Sequence, residues 1–399
     1  MKAVAVTGVG VVAPIASGAR AFWEAMLEGR RAFTRIAASG ALSGNCLWAR
    51  VPDEFLVAHE VAPAALRNAD RFTQYAVIAT QQALEMSGVE APAAQTAVIL
   101  GNTMGGLPSF AETQNTFAAH PQRVTPKLMA LVIPNMAAAR IALHWGLHGR
   151  QLTVSTACAS SLDAIGLAAR MIESGEIEAA IAGGTETLLA GVVYQSLEHA
   201  GALSRASDPS CASRPFDVAR DGFVMGDGAA VVYLEHIERA RRRGARVLGR
   251  IRGYGSLADA YHLTAPEPSG RYEAQVMSAA LEDAGCDVQV VFAHATGTVV
   301  GDLAELRAIN ATFAGQVPIV TAPRGHLGHA MAAAGAMSAV AGILGLQTNT
   351  VPHTVGTRQV ESEAQFDVVL GRPRDVPHEA FCVNAFGFGG QNASLVISR

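Results

Sequence analysis

Two stretches of this chain resemble each other, and this internal repeat constrains the fold more than any other feature. Residues 73–88 and 272–285 both have the spacing of a helix that ends at a glycine, and both close on Ala-Leu-Glu-x-(Ser/Ala)-Gly or a near variant of it. Each is followed by a short apolar strand and later by a second strand-turn-helix unit, at 153–172 and at 318–346. Alternating strands and helices predict an α/β protein with parallel sheets covered by helices, and the repeat predicts two similar halves.

Composition and charge narrow the functional classes. The 399 residues carry a net charge of −4, which argues against a general nucleic-acid or membrane surface. Five widely spaced cysteines without a Cys-x-x-Cys pair make a disulfide framework or a structural zinc site a poor fit. The apolar run at 3–14 is interpreted as a strand rather than a signal peptide, and no stretch has roughly 20 uninterrupted apolar residues. We therefore expect a cytoplasmic protein.

Cys158 is the strongest candidate for a reactive side chain. It ends the run Thr153-Val-Ser-Thr-Ala-Cys158, which is predicted to be a short buried strand, and an amphipathic helix follows at once. Unpaired backbone N–H groups and the helix dipole at such a junction stabilise a thiolate. The alternative, which position alone leaves open, is a small buried cysteine without a chemical role.

The second half of the chain supplies candidate partners for this cysteine. Sites in α/β sheets form beyond the carboxyl ends of the strands. His294 follows an apolar strand, and the turn at 324–329 follows another. We expect these residues to converge on Cys158. The pair His326 and His329 also has a spacing that metal ligands can use, but a metal site is not the favoured interpretation.

At this point the chain resembles the beta-ketoacyl-acyl-carrier-protein synthases of the thiolase superfamily, most of all the type II condensing enzymes. Six motifs in the same order carry the resemblance: Thr156-Ala-Cys158-Ala-Ser, His294-Ala-Thr-Gly-Thr298, Gly328-His329-Ala-Met, the stretch 213–228, Asp259-Ala-Tyr-His262-Leu-Thr264, and Asn384-Ala-Phe-Gly-Phe388-Gly-Gly. The resemblance implies a thiolase-like fold with layered helices and mixed sheets, in a half at 1–245 that carries the cysteine and a half at 246–399 that carries both histidines.

The resemblance also implies a reaction. Such enzymes move an acyl group onto a cysteine thiolate and then decarboxylate a malonyl thioester, whose α-carbon attacks the acyl-enzyme. By resemblance, Cys158 is the nucleophile and its N–H group, with that of Phe388, forms an oxyanion hole. His294 and His329 would then stabilise the enolate, without a cofactor or metal.

The same resemblance implies substrate-contact, pocket or structural roles for several further residues. Thr296, Thr298, His262 and Phe386 are expected to contact substrate. Met104 is expected to line the acyl pocket, although a core methionine is an equal alternative, and Phe388 is expected to act as a gate between glycines. His326 is expected to be structural or to line a channel.

Arg324 is the main departure from the family pattern, which has a lysine paired with a glutamate, here Glu305. Arginine keeps the charge but is planar, larger and always protonated, so it cannot exchange protons in the same way. The change suggests a branch outside housekeeping fatty-acid synthesis.

Expected partners are an acyl carrier protein, acyl and malonyl thioesters, and a second ketosynthase-like chain, identical or paralogous, with the 128–136 segment reaching the neighbour's acyl pocket. Arg67, Arg71 and Arg205 are candidates to meet an acidic carrier, although solvated arginines are common. Two alternatives remain. One is a coenzyme A-dependent thiolase, which needs a second cysteine near the C-terminus; Cys382 is expected to lie within a strand instead. The other is a non-catalytic subunit that only shapes chain length.

Overall fold

The structure is a computed structural model that describes residues 3–36, 46–57, 61 and 63–399. The strands in these ranges are β1 (Val4–Ala13), β2 (Ala16–Ser17), β3 (Phe33–Arg35), β4 (Leu47–Ala49), β5 (Ala97–Gly101), β6 (Gln151–Val154), β7 (Ala179–Glu186), β8 (Met225–Gly226), β9 (Gly228–His236), β10 (Gly249–Ala258), β11 (Val290–Phe292), β12 (Ile319–Thr321), β13 (Thr350–Val351), β14 (Asp367–Val368), β15 (Arg374–Asp375), β16 (Ala380–Gly387) and β17 (Gln391–Ser398).

The helices of the same ranges connect and cover these strands. They are α1 (Ala19–Leu27), α2 (Glu54–Val57), α3 (Pro63–Leu66), α4 (Arg71–Ser87), α5 (Leu107–Ala119), α6 (Leu128–Val132), α7 (Met136–Trp145), α8 (Ser160–Glu173), α9 (Gly191–His199), α10 (Ile237–Arg242), α11 (Arg271–Ala284), α12 (Val299–Thr312), α13 (Arg324–Leu327) and α14 (Ala334–Thr348). Short 3₁₀ turns lie at Ala157–Ala159, Met331–Ala333 and Phe388–Gly390, among others.

The repeated helices predicted from the sequence are α4 and α11. The side chain of Asp70 caps α4 by accepting a hydrogen bond from Phe72 N at 3.2 Å. Both helices end at a glycine in the left-handed region, Gly88 with φ 70° and Gly285 with φ 56°. The prediction that glycine closes both helices is confirmed.

The strands of the two halves follow the same order. One half runs β1-β9-β7-β5-β6, and the other runs β10-β17-β16-β11-β12 with β14 added at its edge. In each half the first two pairings are antiparallel and the last two are parallel. Residues Val4–Val6 pair with Gly249–Ile251 and join the halves. The two halves thus share one topology.

The parallel pairing expected from alternating strands and helices is present in only part of each half. β17 follows β16 after only the short turn at Phe388–Gly390, and so short a turn can join only antiparallel neighbours. Parallel pairing holds where a helical crossover intervenes, as between β5 and β6. The mixed sheets implied by the family resemblance are the arrangement observed.

Two central helices link the halves. α8 and α14 contact each other and strands of both halves, whereas α4 packs on β1 and β9, and α11 packs on β10 and β17. α14 is almost wholly buried. A Cβ atom at Gly342 would lie 2.1 Å from the Phe381 ring, so glycine is required for this close approach.

The segment Met331–Thr348 is long and apolar enough to cross a membrane by length and composition alone. It is 83% buried within the fold, because it includes the central helix α14. Its apolar character is therefore explained by packing between the two sheets.

Candidate active site

Cys158 lies in the 3₁₀ turn at Ala157–Ala159, between the end of β6 and the start of α8. The residue before it, Ala157, has φ 49°, a left-handed backbone conformation that turns the chain sharply at this point. The predicted strand-to-helix junction is therefore present. The prediction that the strand is buried is wrong, since β6 is the outermost strand of its half and its residues are exposed or partly exposed.

Cys158, His294 and His329 converge from three different elements. Cys158 Sγ lies 3.0 Å from His329 Nε2. The imidazole rings of His294 and His329 stand edge to face with centroids 5.3 Å apart. One ligand-type atom from each of the three side chains lies within 4.8 Å of the others, and all three side chains are buried. The expected convergence of the two halves is observed.

Cys158, His294 and His329 form a buried chamber. In this chamber the nucleophile candidate, Cys158, is a thiol. Burial raises the pKa of Cys158 to about 12, although the charge of Arg324 and the N–H groups of Phe388 and Cys158 act in the opposite direction. The N–H groups at the helix start favour the thiolate as expected, but burial raises the pKa of Cys158 by more than they lower it. Burial removes the water that would solvate the charged sulfur.

Both histidines are neutral imidazoles at neutral pH. Burial lowers the pKa of His294 and of His329 well below the usual value, and the positive charge of Arg324 lowers both further. The Nδ1 atoms of both rings have no hydrogen-bond partner among the described residues. An unpaired buried N–H group costs more than an unpaired ring lone pair, so we assign the proton of each ring to Nε2. Each histidine can then donate a hydrogen bond through Nε2.

The Phe388 loop lies directly against the nucleophile. Gly387 approaches so closely that a Cβ atom there would lie 2.8 Å from Cys158 N. The N–H groups of Phe388 and Cys158 both interact with the Cys158 sulfur. Two backbone donors therefore lie beside the atom to which an acyl group would be attached, where they are candidates to bind the carbonyl oxygen of that group. The Phe388 side chain is 37% exposed.

Glu305 holds the backbone at His294. Its carboxylate accepts hydrogen bonds from His294 N at 2.8 Å and Ala295 N at 2.6 Å. Asn384 Nδ2 also donates to it at 3.0 Å. The expected ion pair between Arg324 and Glu305 is not formed as a direct contact among the described residues, although the two charges still interact.

Arg324 is a fully buried cation beside the chamber. Its Nη1 donates to Ser338 Oγ at 3.0 Å, whereas Nε and Nη2 have no hydrogen-bond partner among the described residues. Burial lowers its pKa to about 10, which still leaves the guanidinium charged at neutral pH. Arg324 therefore acts on Cys158, His294 and His329 through its field.

The remaining predicted residues divide into those near the chamber and those outside it. Thr296 is buried, and its hydroxyl oxygen lies 3.2 Å from that of Thr298. The Phe386 ring centroid lies 6.0 Å from that of His294. Met104 is 48% exposed, so the core alternative is wrong for it, and its role in lining an acyl pocket stays a prediction. His262 is exposed, and its Nδ1 accepts a hydrogen bond from Thr264 N at 3.1 Å.

His326 has a structural position, in line with one of the two roles expected for it. Its Nδ1 lies 3.1 Å from Arg30 O and its Nε2 lies 2.8 Å from His353 O. These contacts direct both ring nitrogens to backbone atoms outside the chamber. The metal-type spacing of His326 and His329 does not bring their rings to one site.

A metal ion at Cys158, His294 and His329 would have the right donor atoms but an unfavourable field. The three side chains lie close enough to share an ion. The buried guanidinium of Arg324, which opposes protonation of both histidines, would oppose any other cation there in the same way. We derive no step through a metal.

Three supporting residues were missed by the sequence analysis. Ser338 is a lone hydroxyl in an apolar helix and is the partner of Arg324. Asn384 binds Glu305, and Phe223 packs edge to face on His329 with centroids 5.2 Å apart. Ser338 could have been found as a single polar residue within an Ala/Gly-rich helix, and Asn384 as the first residue of the motif at 384–390.

The N-terminal domain of beta-ketoacyl synthases matches residues 1–240, and the C-terminal domain of the same enzymes matches residues 248–358. The chain belongs to the beta-ketoacyl synthase family. It is 36% identical to 3-oxoacyl-(acyl-carrier-protein) synthase 2 of Vibrio harveyi, covering 100% of this chain and 99% of that protein. It is 34% identical to the protein of the same name from Synechocystis, covering 100% and 98%.

Solved structures of this family have the same fold. A beta-ketoacyl synthase from Burkholderia phymatum superposes with a TM-score of 0.92 at 32% identity, covering 100% of both chains. The ishigamide ketosynthase/chain length factor superposes with a TM-score of 0.91 at 29% identity, covering 100% of this chain and 99% of that one. The predicted family, fold class and enzyme class are confirmed.

The high pKa of Cys158 predicts how its alkylation depends on pH. Because the thiolate is the reactive form, the rate of modification by iodoacetamide should rise about tenfold per pH unit from neutral pH towards pH 10. In the Arg324→Met variant the field that lowers the pKa is lost, so the profile should move to higher pH by about one unit or more. Intact-mass measurement of carbamidomethylated Cys158 against pH gives both profiles.

Arg324→Lys is the matched control, since it keeps a buried positive charge. Its profile should stay close to that of the wild-type protein. A rate that is flat between pH 7 and pH 9 in the wild-type protein would contradict the raised pKa. A profile shared by Arg324→Met and the wild-type protein would contradict the electrostatic role of Arg324.

Proposed function

We propose that this beta-ketoacyl synthase condenses an acyl thioester with malonyl-acyl carrier protein through an acyl-Cys158 enzyme, in fatty-acid or polyketide-type chain elongation. The observation that supports this most is the contact of Cys158 Sγ with His329 Nε2 at 3.0 Å, with the buried His294 ring beside them. A thiol nucleophile and two neutral N–H donors are the groups that the reaction needs.

In the acyl-transfer step, Cys158 Sγ attacks the carbonyl carbon of the incoming thioester. The bond to the carrier sulfur breaks, a new bond to Sγ forms, and the thiol proton ends on the carrier. Negative charge develops on the carbonyl oxygen. The N–H groups of Cys158 and Phe388 can stabilise this charge by donating hydrogen bonds to the oxygen.

In the condensation step, the malonyl C–C bond breaks and carbon dioxide leaves. The electron pair forms an enolate, whose oxygen accepts hydrogen bonds from His294 and His329. The α-carbon then attacks the acyl carbon, a C–C bond forms, and the C–S bond to Cys158 breaks. Sγ leaves as a thiolate and takes up a proton from solvent, which restores the resting thiol.

Thr296 and Thr298 follow His294 along the chain and have hydroxyl oxygens 3.2 Å apart, and the Phe386 ring lies 6.0 Å from that of His294. We assign all three residues to contacts with the bound thioester. We assign His262 to substrate contact because its loop adjoins the Phe388 loop. Gly389 N donates a hydrogen bond to Leu263 O, the residue after His262, at 2.7 Å.

Intact-mass spectrometry with acyl-loaded carrier proteins tests the proposal directly. We expect a mass increase equal to one acyl group on Cys158, followed by loss of that increase and formation of the 3-oxoacyl product when malonyl carrier is added. A protein that forms no acyl-enzyme with any of a series of saturated acyl carriers would contradict the proposal. The series also reports chain length.

We place the carrier on a basic concave surface. A cavity of about 310 Å³ is lined by Arg67, Asn68, Lys127, Ala130 and Arg140. None of its three cations forms an ion pair with an acidic residue in the described part of the chain. Arg71, by contrast, is bound to Asp53, Tyr75 Oη and Val51 O, so it is unsuited to a carrier. Arg205 is exposed and stays a candidate.

Charge reversal at this surface should weaken carrier binding without affecting the chamber. In Arg67→Glu and Arg140→Glu variants, we expect the KM for an acyl carrier to rise about tenfold and the reaction with a small acyl thioester of N-acetylcysteamine to stay unchanged. Arg246→Glu, on the exposed surface and bound to Gln347, is the matched control. Equal effects of all three changes would contradict this docking site.

We propose that a second ketosynthase-like chain covers the edge at β6. The helices α5 and α6 have no buried residues, although they carry apolar side chains. Phe110, Phe117 and Met129 are each about half exposed. β6 has an unpaired edge and contacts α7, which in turn contacts α6. Apolar area beside an open strand edge is typical of a protein interface.

Light scattering at micromolar concentration should give a dimer for the purified chain. Phe110→Asp together with Met129→Asp should give a monomer, since two charges would be buried at the interface. Met86→Asp is the control, because Met86 is similarly exposed on another face. A monomeric wild-type protein that dimerises only with a co-expressed paralogue would support the heterodimer instead.

The non-catalytic subunit is not favoured, since it would have no use for the assembled Cys158, His294 and His329 chamber. Cys382 does not supply the second cysteine of a thiolase, because it is buried in β16 and contacts Asn384.

We propose that the two halves meet at 245–246, because this boundary falls between α10 and β10, where the two related strand orders meet. A cytoplasmic location stays a prediction.

A further inference from the structure

Glu186 is a fully buried carboxylate that takes no direct part in the proposed reaction. It is the last residue of β7, and its relative exposure is 0%. Asn102 Nδ2 donates to Oε1 at 3.1 Å, Thr103 N donates to Oε2 at 3.1 Å, and the Thr103 hydroxyl donates to Oε2 as well. The N–H groups of Met104 and Ala332 also interact with this carboxylate.

These donors come from two segments that are far apart in sequence. One is the 102–104 loop, which carries Met104, the residue assigned to the acyl pocket. The other is the Met331–Ala333 turn, which begins two residues after His329. A Cβ atom at Gly184, two residues before Glu186, would lie 2.7 Å from Ala332 O, so β7 and this turn are in close contact.

The loop that Glu186 holds continues to the exposed edge of the fold. Asn102 Oδ1 accepts a hydrogen bond from Gly105 N at 2.7 Å, and Gly106 N donates to Val132 O at 3.1 Å. The carboxylate therefore fixes a connected path from the His329 turn to the end of α6. Since all its contacts are donors, only an ionised carboxylate satisfies every one of them.

We propose that Glu186 is a positioning residue that sets the specificity for the acyl chain, by fixing the Thr103–Met104 wall relative to the turn after His329. This inference rests on the proposed function. Loosening the wall should disturb a long acyl group, which must lie along it, more than a short one, which ends near Cys158.

The test compares acylation of Cys158 by octanoyl and acetyl carrier proteins. Burial raises the pKa of Glu186 to about 8, so the assays are run at about pH 8.5. In Glu186→Gln, an amide NH₂ group replaces one carboxylate oxygen. This group then faces N–H and O–H donors and cannot accept their hydrogen bonds. We expect the octanoyl-to-acetyl ratio of kcat/KM to fall about tenfold, chiefly through KM for octanoyl carrier.

Glu235→Gln is the matched control. Glu235 is also a fully buried glutamate at a strand position, but it binds Thr7 and Arg243 away from the chamber. It should change stability and leave the acyl ratio unchanged. Thr103→Val is a milder second variant that removes one donor to Glu186 and keeps the side-chain volume, with Thr103→Ser as its conservative partner.

The outcomes separate this inference from the proposed function. A ratio that falls in Glu186→Gln and Thr103→Val but not in Glu235→Gln or Thr103→Ser supports the inference. A ratio that is unchanged in both test variants, or that falls equally in the Glu235→Gln control, overturns it. Acylation with the expected selectivity but without condensation would contradict the proposed function while leaving the role of Glu186 intact.

Discussion

Replacement of Cys158 by alanine should abolish acyl transfer while leaving the fold intact. The change removes a sulfur whose polar contacts are with His329 Nε2 and with the N–H groups of Phe388 and Cys158, and the surrounding turn is held by other groups. Ser160 Oγ accepts a hydrogen bond from Thr156 N at 2.9 Å and donates to Ala157 O at 2.6 Å, so the geometry at the start of α8 does not depend on the cysteine. The expected loss of stability is only about 1 kcal/mol.

Intact mass after incubation with acyl carriers measures the loss of transfer, and thermal unfolding measures the fold. Cys382→Ala is the matched control, because Cys382 is also fully buried but lies in β16. It should keep normal acylation. Acyl-enzyme or condensation product from Cys158→Ala above the trace level of the carrier alone would overturn the nucleophile assignment.

Cys158→Gln should behave differently from the alanine variant. Glutamine resembles an acylated cysteine in size and carries a carbonyl oxygen that the N–H groups of Cys158 and Phe388 can bind. Because His294 and His329 are untouched, we expect this variant to release carbon dioxide from malonyl carrier without forming product. Such uncoupling would assign acyl transfer and decarboxylation to different groups of the same chamber.

The arginine at position 324 has an explanation in the composition of the chain. Only two of the 30 basic residues, Lys2 and Lys127, are lysines. An arginine in place of the family's lysine therefore follows a preference that runs through the whole sequence. The substitution alone does not indicate a specialised pathway, and its chemical consequence lies in the field that the fixed charge exerts on the chamber.

The residues that touch the reacting groups were predictable because each stands at a recognisable junction. Cys158, His294 and His329 all follow short strands, and the repeat indicated that both halves present these strand ends to one site. The side chains that support them were not predictable. Glu305 binds backbone amides rather than Arg324, and Arg324 binds Ser338, because local loop geometry decides which donors reach a buried carboxylate.

The charge state of Cys158 was likewise not predictable from the sequence. The sequence shows a helix start, which favours a thiolate, but it does not show that the chamber is closed. In the structure the cost of burying a charge exceeds the help from two N–H groups and a nearby guanidinium. A thiol at rest then requires that the proton leave during attack, when the developing charge passes to the carbonyl oxygen.

His294→Ala and His329→Ala should each suppress decarboxylation far more than acylation. Each ring is assigned an Nε2 proton that can be donated to the enolate, and the loss of one such donor typically costs about 100-fold to 1,000-fold in rate. The double variant should be little slower than either single variant, because the two donors act on one oxygen. Carbon dioxide release in the Cys158→Gln background and acyl labelling in the Cys158 background give the two rates separately.

His326→Ala provides the comparison that distinguishes chemistry from architecture. His326 lies three residues before His329, is equally buried, and binds only the backbone of Arg30 and His353. We expect it to lower the thermal midpoint while leaving the ratio of decarboxylation to acylation unchanged. If His294→Ala and His329→Ala instead reduced both rates by the same factor, as a loosened chamber would, the histidines would be supports of the site. A selective loss of decarboxylation follows only if their N–H groups meet the enolate.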